Sequence, residues 1–158
     1  MRQFLCVAAV LATASWTQAE EKKIKLEEVP AIVMQTAKAA VPGVTFSEAQ
    51  IDTDDTETIY ELKGTTKEGK KVEVDVYPDG FIEEIEIQIE KSEVPTKVLS
   101  FFEKKFPGFK LTKIEKSIRP CRNGLQTIWY EFDGVTSAGE AVDVEIDENA
   151  TKYLVEPD

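Results

Sequence analysis

Where apolar residues recur every three or four positions this chain predicts helix, and where they recur every second position it predicts strand. Val29, Ile32, Val33, Ala37, Ala40 and Val41 make one helical stripe, and Val94, Val98, Phe101, Phe102 and Phe106 make another. Ser92 is the expected N-cap of the second helix, Pro30 and Pro95 suit first turns, and Pro42-Gly43 and Pro107-Gly108 end the helices. Val72, Val74 and Val76 then alternate with Lys71, Glu73, Asp75 and Tyr77, while Ile85, Ile87 and Ile89 alternate with Glu84, Glu86 and Gln88. Val142, Val144 and Ile146 repeat the pattern against Asp143 and Glu145. Further strands are predicted over residues 44–51, 58–64, 109–116 and 127–134. Each strand has one dry face and one wet face.

The two patterns belong to a repeat. Residues 29–43 align without gaps on residues 94–108, and residues 60–80 align on residues 130–150. The offset grows from 65 to 70 residues, so the second copy carries five extra residues around SIRPCRNGLQ. Asp79-Gly80 predicts a tight hairpin; Asn149-Ala150 stands in its place in the second copy and specifies the turn less sharply. The expected fold is α+β, two tandem units over residues 24–90 and 91–157, each one helix packed on a four-stranded antiparallel sheet. Units this small have marginal cores, so the two are expected to pack together.

A helix closed by Pro-Gly, a Tyr-Glu strand at Tyr60-Glu61 and Tyr130-Glu131, and a Val-x-Val-x-[Val/Ile] strand resemble the PepSY-like domains of exported bacterial proteins. The tandem form resembles the group named β-lactamase-inhibitor-like. The resemblance spans residues 24–157 and implies a periplasmic or extracellular place, with inhibition or chaperoning of a secreted peptidase or related enzyme. It implies no catalytic residue.

Residues 1–19 are expected to be a signal peptide: Arg2 supplies the positive charge, residues 4–14 the apolar stretch, and Thr17-Gln18-Ala19 the cleavage site. That stretch is roughly half the ~20 residues a membrane-spanning helix needs. The whole chain carries a formal net charge of −11, and losing Arg2 makes the remainder more acidic. Such a surface repels phosphate backbones and anionic headgroups, which argues against nucleic acid and membranes and for an unidentified protein or peptide partner. Once Cys6 is removed with the signal, Cys121 has no intramolecular partner. It stands either as an exposed thiol able to pair between molecules or as an incidental loop cysteine.

The chain has no histidine, which removes Ser-His and Cys-His catalysis and the commonest zinc ligand. It also lacks the glycine-rich phosphate loops and the nucleophile elbow. No cofactor, metal or catalytic residue is expected. Carboxylate hydrolysis would need a buried acid beside an ionised one among Glu73, Asp75, Glu84 and Glu86, or Glu131, Asp143 and Glu145, and strand alternation does not predict such burial. Residues 52–57, rich in Asp and Glu, are the one hint of calcium binding, against a solvated hairpin turn. The candidate partner-binding residues are those of the wet face: Ile59, Glu61, Glu73, Asp75, Tyr77, Trp129, Glu131, Asp143 and Glu145. Trp129 is either an interface anchor or a ring covered by the inserted segment.

Overall fold

The computed structural model describes residues 20–53 and 57–157, so the expected signal peptide lies outside the described residues. The strands are β1 (Glu20–Ile24), β2 (Thr45–Thr53), β3 (Thr58–Thr65), β4 (Lys71–Val76), β5 (Ile82–Gln88), β6 (Lys110–Pro120), β7 (Gln126–Val135), β8 (Ala141–Asp147) and β9 (Tyr153–Pro157). The helices are α1 (Ala31–Ala40) and α2 (Thr96–Lys105). All nine strands form one antiparallel sheet in chain order.

This overturns the expected fold of two units with a helix on a four-stranded sheet. Each half does run helix then four strands, but β5 pairs with β6 through Ile85–Ile118, Glu86–Ser117, Ile87–Lys116 and Gln88–Glu115. A free β5 edge would leave a row of amide and carbonyl groups unpaired, and β6 satisfies them. The inserted residues lengthen β6 and β7, which meet at a turn over residues 121–125 closed by Cys121 N–H donating to Leu125 O at 2.7 Å. β1, which has no alternating apolar pattern, adds a further strand beside β2.

Both helices lie on the same face, α1 over β4 and α2 over β8. Val33 and Ala37 of α1 join Leu62, Val72, Val74 and Val76, all buried. Val98 and Phe102 of α2 join Phe132, Val144 and Ile146. Tyr60 and Tyr130 point inward with these clusters. Ile118 of β6 packs against the first cluster, so the cores meet where the sheet is joined. Ile32, counted in the apolar stripe, is instead 49% exposed.

Ser92 is not the N-cap of α2. It sits in a 3-10 turn (Lys91–Glu93), and extended Pro95 precedes the helix; a matching turn (Leu26–Glu28) and Pro30 precede α1. Proline removes only its own donor and fixes φ at the helix entry; neither helix has a side-chain cap. In β3 and β7 a glycine faces a bulge: a Cβ at Gly64 would lie 2.5 Å from Thr45 O, and one at Gly134 would lie 2.2 Å from Lys110 O. Ala150 adopts φ 54° in the last hairpin, where Asp147 accepts from Thr151 N–H and Lys152 N–H, both at 2.6 Å. Side-chain bonds thus do the work that glycine does at Gly80.

Candidate functional site

Because strand side chains alternate, burying the valines and isoleucines under the helices puts the intervening carboxylates on the opposite, helix-free face. Cross-strand pairing aligns them: Glu61 with Asp75, Asp75 with Glu84, Glu73 with Glu86, Glu131 with Glu145, and Asp133 with Asp143. Joining β5 to β6 makes this one surface. Glu86 lies beside Ser117, and Ser117 beside Trp129. Ile59, Glu61, Glu73, Asp75, Trp129, Glu131, Asp143 and Glu145 all share this face. Tyr77 is set apart at the end of β4: its hydroxyl bonds to Glu83 at 3.1 Å and Glu57 at 3.2 Å, and its ring stacks on Phe81.

Three basic side chains among the described residues pair with these acids. Lys63 pairs with Glu73 at 3.2 Å and Glu61 at 3.4 Å, and Glu61 also accepts from Gln50 Nε2. Arg119, which sequence reasoning missed as a site residue, lies near the end of β6, at the seam between the halves. Its Nε donates to Glu84 at 2.7 Å, its Nη1 and Nη2 to the two oxygens of Glu145 at 2.8 and 3.0 Å, and Nη2 also to Glu131 at 3.3 Å. The guanidinium lies 5.6 Å from the centre of the Trp129 ring, which is half-buried. Ser117, fully buried, donates to Glu84. Lys113 pairs with Glu115 and Asp133, at 2.8 and 2.7 Å.

Packing so many acids side by side takes water from them and sets like charges together, and both effects favour the protonated form. Burial, then Glu73, Glu61, Glu86 and Glu84, pushes Asp75 up to about 9. Burial, then Glu86, Glu84 and Glu145, pushes Glu131 up to about 9 against the pull of Arg119. Glu73 and Glu86 are each raised to about 7, chiefly by burial. One oxygen of Asp75 and one of Asp52, both Oδ1, are buried with no hydrogen-bond partner among the described residues.

Two triads, Glu61–Glu73–Asp75 and Glu84–Glu86–Glu131, each place three carboxylate oxygens within 4.8 Å of one another. That spacing can ligate a hard cation, although Lys63 and Arg119 already supply counter-charge there. The calcium hint at residues 52–57 falls partly outside the described residues. Cys121 is exposed and free. No described helix is long and apolar enough to cross a membrane.

No family model matches this sequence, and no curated protein does. Solved structures do. A BLIP-like protein from Bacteroides fragilis is 13% identical, with 82% of this chain and 87% of that one covered and a TM-score of 0.58. A protein from Bacteroides vulgatus, described as periplasmic and of the DUF2874 family, is 18% identical over 87% of this chain and 94% of that one, with a TM-score of 0.37. A protein from Bacteroides thetaiotaomicron, described as periplasmic and calcium-regulated, is 17% identical over 86% and 96%, also at 0.37. The last two superpose too loosely to carry an argument, and at 13% identity the first speaks to architecture alone. The chain shares its fold with the BLIP-like protein of Bacteroides fragilis.

Proposed function

We propose that this chain is an exported, non-enzymatic module that binds a protein partner through the helix-free face of its sheet, with a secreted enzyme as the partner class. The observation that carries this reading is the face itself: half-buried carboxylates held near or above neutral pKa, beside Trp129, on a surface that the core does not require. The export signal expected from the sequence of residues 1–19 and the PepSY-like resemblance agree with this reading, as does the absence of histidine from the sequence.

Photo-cross-linking tests it. A cross-linker in place of Glu73 should capture a partner in the native extracytoplasmic fraction, and one in place of exposed Ile32 on the helix side should not. Capture from Ile32 alone would overturn the assignment. A second reading, a divalent cation held by Glu61, Glu73 and Asp75, has their oxygen spacing in its favour. A saturable rise of the thermal midpoint with calcium would select that reading.

A further inference from the structure

Arg119 shows what this face does with a guanidinium. The group is held by Glu84 of β5 at 2.7 Å and by a cross-strand pair, Glu145 of β8 at 2.8 and 3.0 Å and Glu131 of β7 at 3.3 Å, with Trp129 beside it on the same strand as Glu131. The repeat places Glu61 of β3 and Asp75 of β4 at the corresponding positions, again as cross-strand partners, with Ile59 where Trp129 stands. No described arginine occupies this first pair. Lys63 is spent on Glu61 and Glu73, and Asp75 Oδ1 is left buried without a hydrogen-bond partner. A buried acceptor without a donor is unfavourable, and a guanidinium that draws the Asp75 carboxyl towards it would relieve that.

We infer that the Glu61–Asp75 pair is the docking point for an arginine side chain on the partner protein, received as Arg119 is received by Glu131 and Glu145. This deepens the partner-surface reading and rests on it. Arginine fits better than lysine because its planar fork presents several N–H groups at once to two carboxylates with oxygens within 4.8 Å of each other, whereas an ammonium is a point charge. Lys63 illustrates the difference, since it pairs with two acids and leaves Asp75 unserved. The charged groups facing Asp75 are Glu61 and Lys63 from β3, Glu73 from its own strand, and Glu84 and Glu86 from β5. The helices pack on the other face. A guanidinium docked here requires Asp75 as carboxylate, so docking at neutral pH displaces its proton to the buffer.

The probe is acetyl-Gly-Arg-Gly-amide, titrated into the isotope-labelled protein and followed by NMR, with the lysine and citrulline peptides beside it. The arginine peptide should shift amides of β3 and β4, bind several-fold tighter than the lysine peptide, and lose about ten-fold in affinity in Asp75→Asn and in Glu61→Gln. Glu140→Gln, at an exposed acid away from the face, should change nothing. Calorimetry in two buffers of different ionisation enthalpy should show proton release that vanishes in Asp75→Asn. If face amides shift but arginine and lysine bind alike and Asp75→Asn is without effect, the arginine site is refuted and the partner surface survives. If no peptide shifts any residue of the face, both fall.

Discussion

Replacing Asp75 by Asn should stabilise this protein, and by an amount that grows with pH. Asp75 keeps its proton in the folded state to about pH 9, against 3.8 for an ordinary aspartate. Between those limits the unfolded chain has released a proton that the folded chain retains. Stability therefore falls as pH rises, by about 1.4 kcal/mol per pH unit for this one group, and the loss ends only above the folded pKa. One such unit is already a sizeable share of the ~5–15 kcal/mol that holds a domain folded. An asparagine has the same shape without the charge, so it carries no such slope. Urea unfolding of both proteins from about pH 3, below the ordinary aspartate pKa, to about pH 9 measures the effect as a difference in midpoint at constant m. The Asp75→Asn variant should be nearly equal to wild type at the acid end and progressively more stable towards the alkaline end. A difference that stays flat, or a wild type that gains on the variant as pH rises, would refute the burial and like-charge reasoning for the whole face.

Two predictions concern the frame that carries the face. Phe132 is fully buried and stacked on Phe102 at 4.0 Å, so Phe132→Ala should cost about 3–5 kcal/mol; calorimetry should still show one transition, because the joined sheet unfolds as a unit. Two resolved transitions would mean the halves are independent. Gly134→Ala drives a Cβ to 2.2 Å from Lys110 O, so the β6–β7 bulge must shift; amide exchange along β6 should quicken, whereas Gly69→Ala, with open space around it, should leave β6 unchanged.

Much of the local structure was legible. The valine alternations in β4 and β8 gave the strands and their inward faces, and the Pro-Gly pairs marked the helix ends where Gly43 and Gly108 take positive φ. The parity of Glu61, Glu73 and Asp75 placed them on the wet face. Parity is blind to which strand edges meet, however, because Ile85 and Ile87 alternating with Glu84 and Glu86 suits an edge strand and an inner strand equally. Alternation alone therefore does not tell two sheets from one, nor does it bring Glu84 and Glu86 beside the acids of the second half. β1 has no apolar alternation to announce it. The burial of Asp75 and Glu131 arises from neighbours on adjacent strands, which a one-dimensional pattern does not contain. Arg119 had one available signal: a lone arginine at the polar parity of β6, two positions beyond Ser117, on a face otherwise rich in acids.

Such a face lowers stability, and natural proteins tolerate such regions where they serve recognition. The most direct measurement of that claim is hydroxyl-radical footprinting of the protein alone and bound to its cross-linked partner. Ile59 and Trp129 should become protected while Ile32 and Met34, on the helix side, stay as reactive as in the free protein. Protection of Ile32 and Met34 with Ile59 and Trp129 unchanged would contradict the account.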